Sequence, residues 1–301
     1  MLKRLSRRWA ERAERHLTRA TSQGVNALVK AVPTDATVLE IGAGYNPRFI
    51  KGGAYRHIYH LDHADAAALR AKYITDPHVG QLVNQIQEVD FVFRGEPIET
   101  LVPPELRFDV IYSAHCLEHQ VDLIGHLQSL EKLLAPGGRV IEIVPDLRRC
   151  FDLLRYPSVT ADVIVAHRRC APVHQGKQVF DAAANEVDFN LGRRPTDIEL
   201  DGMRFTRSLH DAYQAMQDAE QPGSAYTDRH AWTFIPESLR LMLVELRLLG
   251  LTTMRASSVS ATYENQFCVV LQAAPGTLST LAIAELEAER LALAKQLRIR
   301  G

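Results

Sequence analysis

The stretch VLEIGAGYNP, residues 38–47, decides how this chain folds. An apolar run ends on an acidic residue, Glu40, and two glycines follow with one residue between them, Gly42-Ala43-Gly44. The run reads as a buried strand. The glycines let the backbone turn sharply and approach a ligand where a Cβ would collide. A helix beginning after such a turn offers free N–H groups to a carboxylate or a phosphate. A dinucleotide fingerprint would carry a third glycine at the position of Pro47, so a pyrophosphate cradle is not expected.

The next strand predicted, HIYHLD at 57–62, ends on Asp62, 22 positions after Glu40. A carboxylate there can accept hydrogen bonds from both hydroxyls of a ribose, as in many nucleoside-binding βαβ units. Further strands are expected over 108–114, FDVIYSA, and 138–145, GRVIEIVP. Between them LIGHLQSLEKLLAPGG sets Leu123, Leu127, Leu130, Leu133 and Leu134 on a helical face and ends in Pro-Gly-Gly. Short β-rich runs alternating with helices predict an α/β fold on a parallel sheet.

Beyond Pro145 the pattern loosens, with short helices expected at 158–170 and 204–219. A clean helix returns in IPESLRLMLVELRLLGL, strands follow at about 252–260 and 266–273, and a last helix runs from Leu278 to Arg300. The expected organisation is an amphipathic N-terminal segment (1–35), a core (36–146), an acceptor-side insertion (147–230), the remainder of the core (231–274) and a C-terminal helix (275–301).

Composition narrows the partners. Hydrophobic residues make up 46% and charged residues 24% of 301, with a formal net charge of -1. That charge gives no field to gather nucleic acid, and no nucleic-acid partner is expected. The four cysteines, Cys116, Cys150, Cys170 and Cys268, form no CxxC pair, which fits a reducing compartment. No apolar run approaches the roughly 18 residues that span a bilayer, and the basic N-terminus lacks a secretory pattern. A cytoplasmic protein is expected. The N-terminal stripe Leu2, Leu5, Trp9, Ala13 and Leu17 suits packing on the main domain, a second copy or an assembly partner, or docking on an anionic membrane.

These motifs resemble, in order, those of the class I S-adenosylmethionine-dependent methyltransferases. EIGAGYNP resembles the first motif of that family, HIYHLD the second, FDVIYSAHCLEH the fourth, and LEKLLAPGGRVIEIVPD the helix, turn and strand that follow in its small-molecule branch. The resemblance implies a Rossmann-like seven-stranded sheet, mostly parallel with its last strand antiparallel, carrying a helical insertion. It implies S-adenosylmethionine as cofactor, with Glu40, Gly42, Ala43, Gly44 and Tyr45 at the methionine end, Asp62 on the ribose, Asp90 on the adenine side, and Ser113 and His115 lining the edge. The segments PDLRRCFD, ADVIVAH and YTDRHAWTFIPESLR resemble members associated with bacterial glycan assembly, although Leu147 and Ile235 stand where those members often carry Lys and Thr.

A sulfonium is already a good methyl donor, so the protein must chiefly align the reacting atoms and exclude water. An aliphatic hydroxyl is a poor nucleophile while protonated and needs a positioned base. His115, His119 and Asp146, at strand ends on the ligand-binding edge, are the catalytic candidates. In the insertion His167, His174, His210 and His230 mix with Asp211 and Asp228, suiting a wet groove; no spacing on one element marks a metal, and none is assigned. Trp232 suits stacking on a sugar or burial beneath the next helix. The expected reaction is methylation of a small or carbohydrate-like acceptor, at a hydroxyl. Its rivals are N- or C-methylation of another metabolite and an idle, cofactor-binding scaffold in a polysaccharide assembly complex.

Overall fold

The computed structural model describes residues 22–170, 173–174, 176–188 and 203–300, so the N-terminal stripe predicted over the first 21 residues lies outside them. Seven strands form one sheet: β1 (Thr37–Ile41), β2 (His57–Asp62), β3 (Phe91–Val92), β4 (Phe108–Ala114), β5 (Leu134–Pro145), β6 (Met254–Val259) and β7 (Gln266–Ala273). Their spatial order is β3-β2-β1-β4-β5-β7-β6. Pairing is parallel from β3 through β5, while β7 runs antiparallel between β5 and β6. The expected sheet, with its last strand reversed, is the one observed.

The helices are α1 (Ser22–Lys30), α2 (Ala66–Tyr73), α3 (Leu123–Leu133), α4 (Thr160–Arg169), α5 (Lys177–Asn185), α6 (Leu209–Ala219), α7 (Pro236–Leu248) and α8 (Thr280–Arg300). Side chains alternate across a strand, and here both faces are covered. Leu39, Ile41, Ile111, Val140 and Val144 pack with α3 and α7 residues such as Leu127, Leu130, Leu239 and Leu243. Val38, Val110, Tyr112, Ile141 and Ile143 face the opposite way and pack with Val25, Leu28 and Val29 of α1. Burial on both faces is why these strands read as unbroken apolar runs.

Helix starts follow side-chain chemistry. Asp122 caps α3 by accepting from Gly125 N (2.9 Å), and Asp65 caps α2 by accepting from Ala68 N (2.8 Å). Ile235 has no polar side chain to cap α7, and Ser238 makes the reciprocal half of a capping box, accepting from Ile235 N at 3.0 Å. The terminal helix α8 is tied to α7 by Arg240–Glu289 and Arg290–Glu245 pairs. Among the described residues no helix is long and apolar enough to cross a membrane.

The chain leaves β1 for β2 and β3 on one side and returns to β4 and β5 on the other. The carboxyl ends of β1 and β4 therefore flank the point where the order reverses, where open α/β sheets bind ligands.

Candidate functional site

Gly42 and Gly44 both have positive φ, +67° and +48°, which L side chains adopt only with strain. A Cβ on Gly42 would collide with Cys116 Sγ, so the turn is pressed against the residue that follows β4. In front of Gly44 the space is open: a Cβ there would meet nothing nearer than Gly42 O at 4.0 Å. The loop is held from behind by Glu40, whose two carboxylate oxygens accept from Arg48 N (2.7 Å) and Phe49 N (2.9 Å). Glu40 thus shapes the loop. Tyr45 packs edge-on to Tyr73, ring centroids 5.0 Å apart.

Asp62 lies beside this turn, 6% exposed, with Oδ2 accepting from Gly44 N at 3.2 Å. Its Oδ1 accepts from His63 N and Nδ1, at 2.8 and 2.6 Å. Two carboxylate oxygens offer about four lone-pair directions, so acceptor capacity remains toward the open side. An open glycine turn beside a carboxylate fits a nucleoside with a short charged arm.

Two expected cofactor contacts sit elsewhere. Asp90 precedes β3, and its Oδ2 accepts from Lys51 Nζ (2.6 Å) and His60 N (2.7 Å), which ties it to the middle of β2. The residue that reaches the edge there is Phe93, whose N–H donates to Asp62 O at 2.8 Å. Ser113 is buried and its hydroxyl donates to Glu142, not toward the turn. Burial pushes the Glu142 carboxyl up to about 8.

After β4 the chain turns at His115, which has a φ of +55°. Its Nε2 donates to Gln266 Oε1 at 2.7 Å, and its Nδ1 lies 3.7 Å from Glu118 Oε1. His119 follows. Its Nδ1 is 3.2 Å from Asp228 Oδ1 and its Nε2 is 3.9 Å from Glu118 Oε1. Burial lowers the His119 pKa, against the pull of Glu118 and Asp228. His230 stands edge-on to His119, centroids 4.8 Å apart, with Nδ1 on Asp152 Oδ2 at 2.5 Å and Nε2 at 3.8 Å from Glu118 Oε1. Burial opposes protonation of His230, but the bond to Asp152 and the charge of Glu118 leave its pKa raised.

Asp146, an expected catalytic group, is fully buried and its carboxylate is spent. It takes Arg148 through Nε at 2.9 Å and Nη2 at 2.5 Å, accepts from Arg148 N at 3.0 Å, and accepts from the Thr262 hydroxyl. The favourable edge position holds a carboxylate paired with a partly exposed arginine instead of a free base. Trp232 is buried, its indole N–H donating to Gln120 O at 2.6 Å, so no face is left for a sugar. His167 pairs with Asp122 at 2.9 Å, and His174 is buried against Tyr226. The sequence reading passed over Glu118 as a functional group, and it treated His119 and His230 separately. Nothing in the spacing of 118, 119 and 230 signals that they meet.

A family model described as a methyltransferase domain matches residues 12–244. No curated protein matches the chain. The fold is similar to that of the CcbJ methyltransferase from Streptomyces caelestis at 14% identity and a TM-score of 0.41, covering 82% of this chain and 87% of that one. It is similar to an S-adenosylmethionine-dependent methyltransferase from Clostridium acetobutylicum ATCC 824 at 8% identity and 0.42, covering 87% and 92%. It is similar to DhpI in its SAH complex at 15% and 0.39, covering 90% and 96%. These likenesses are distant, whereas the family model spans most of the chain and the glycine turn with its carboxylate suits the cofactor. The chain belongs to the methyltransferase-domain family and is an S-adenosylmethionine-dependent methyltransferase.

Proposed function

We propose that this enzyme methylates an oxygen of a small, carbohydrate-like acceptor, a glycan or glycan precursor. The observation that supports this reading is that the edge beside the glycine turn is met by polar groups from far along the chain. Glu118 lies within 4 Å of both His119 and His230, and His119 faces Asp228 at 3.2 Å. Such a lining suits hydroxyls, which donate and accept, better than it suits an apolar acceptor.

When bound, S-adenosylmethionine supplies a methyl group on a positively charged sulfur. The backbone of Gly42, Ala43, Gly44 and Tyr45 would receive its methionine end, Asp62 would accept from the ribose hydroxyls, and Phe93 and His115 would wall the adenosine and acceptor sides. The acceptor hydroxyl would lie against the histidine and Glu118 cluster, which would orient it and accept the proton it loses as the oxygen–methyl bond forms and the sulfur–methyl bond breaks. Residues 147–230 would form the acceptor wall and help exclude water, with His174 and Tyr226 packed together there at 5.2 Å.

The test is calorimetry with S-adenosylmethionine followed by turnover on matched sugar alcohols and amino sugars. Asp62→Ala should weaken cofactor binding at least tenfold, because charge-assisted hydrogen bonds are worth ~1.5–3 kcal/mol each. Hydroxyl acceptors should yield S-adenosylhomocysteine. Turnover confined to the amine series would replace the oxygen reading with nitrogen methylation, and unweakened binding by the variant would remove Asp62 from the cofactor site.

A further inference from the structure

Glu118 is completely buried, and neither of its carboxylate oxygens has a hydrogen-bond partner among the described residues. Such a group is costly, because a buried charge without partners loses its hydration with nothing in return. Three imidazole nitrogens stand just out of bonding range of its Oε1, at 3.7 Å for His115 Nδ1, 3.8 Å for His230 Nε2 and 3.9 Å for His119 Nε2.

One ring is fixed in a particular way: His230 Nδ1 is bound to Asp152, itself anchored by Arg155 Nη1 at 2.7 Å. His119 Nδ1 lies 3.2 Å from Asp228, itself paired with Lys72 at 3.4 Å, without making a hydrogen bond. A carboxylate on one ring nitrogen sets the tautomer and leaves the other nitrogen as a lone-pair donor, the arrangement by which proteins orient metal-binding histidines. Asp152 and Asp228 each pair with an Arg or Lys, whereas among the described residues Glu118 faces only imidazoles. One ligand atom from each of Glu118, His119 and His230 lies within 4.8 Å of the others. Ligands at about 2.0–2.2 Å from an ion sit roughly 3–3.5 Å apart, so a small inward movement closes the set.

We propose that Glu118, His119 Nε2 and His230 Nε2 form a binding site for a divalent first-row ion such as Zn²⁺. Two imidazoles and one carboxylate select the borderline transition ions over Mg²⁺ or Ca²⁺, which prefer oxygen ligands. Half-exposed His115 and exposed Asp228 border the cluster, at 3.7 Å from Glu118 and 3.2 Å from His119. The cluster also adjoins the glycine turn, since Cys116, two residues before Glu118, packs on Gly42 and donates to Ile41 O at 3.6 Å. That the ion would hold and acidify an acceptor hydroxyl rests on the oxygen-acceptor reading above. That it binds does not.

The experiment titrates the full chain, freed of metal by chelator, with Co²⁺ and Zn²⁺, reading the visible absorption of Co²⁺, calorimetry and the thermal midpoint. One ion per chain is expected, with Mg²⁺ at least 100-fold weaker. Glu118→Gln and His230→Asn should each weaken Zn²⁺ at least tenfold, as should Asp228→Asn, an exposed change that leaves all three ligands in place but removes the negative charge 3.2 Å from His119 Nδ1. The Asp228→Asn arm guards against variants that fail to fold, which the midpoint without metal reveals. Absence of a saturable Co²⁺ spectrum in the wild type, or equal Zn²⁺ affinity in folded Glu118→Gln, would overturn the site and leave an ion pair of Glu118 with His230. Either result is read without turnover, so it is separable from a failure to find an oxygen acceptor.

Discussion

Replacing Gly42 with alanine should damage the cofactor turn in two separable ways, and a second substitution should repair one of them. The new Cβ meets a backbone at φ +67°, which costs an L residue about 1–2 kcal/mol. It also collides with Cys116 Sγ. Overpacking of this kind costs about 1–3 kcal/mol, which puts the total near 2–5 kcal/mol. Cys116→Ala removes the sulfur, and the added Cβ then lies 3.8 Å from that of residue 116, an ordinary contact. The double variant should recover the overpacking part and keep the backbone part. Urea unfolding of all four proteins gives the coupling directly, expected at about 1–3 kcal/mol, and calorimetry with S-adenosylmethionine should follow the same order. Additive effects within about 0.5 kcal/mol would show that the turn does not press on Cys116, and the close approach of β1 and β4 argued here would be wrong.

Glu142 should make the native state acid-favouring. Its pKa rises from an ordinary 4.5 to about 8 on burial, so the folded chain holds a proton that the unfolded chain releases across that window. Stability is fullest below the lower value and falls as pH rises through the upper one, by about 5 kcal/mol at most, and Glu142→Gln should flatten that slope in urea midpoints taken from pH 5 to 8.5. Parallel slopes in the two proteins would refute the assignment. Arg155 is buried between Asp152 (2.7 Å), Asp181 (2.9 Å) and His230 O (3.0 Å), so Arg155→Leu should cost about 3–5 kcal/mol by leaving acidic groups uncompensated. A loss below 1 kcal/mol would mean that water already serves them.

The strands were legible because burial on both faces leaves continuous apolar runs, and GxG followed by Asp62 marks one local geometry. β3 escaped notice because two residues, Phe91 and Val92, carry no period, and Asp90 consequently looked like an edge residue. α2 and α5 are short, and the pattern of Lys177–Asn185 is lost among small alanines. Asp146 sat where expected, but its edge position said nothing of Arg148, two residues on, which claims it. The Glu118, His119 and His230 group was illegible for a different reason: His230 lies more than a hundred positions from the other two, and contacts such as the bridge of Asp146 with Phe234 and the bond from Trp232 N to Glu118 O bring the later segment home.

The reversed strand β7 sits between β5 and β6, so an interior strand next to the edge of the finished sheet is the last to be made. During synthesis, β5 must wait with one flank unpaired until residues 266–273 emerge, and His115 lacks its Gln266 partner over the same interval. A nascent chain stalled near residue 260 would expose an adhesive edge long before it had a working site, which makes premature termination there a route to aggregation.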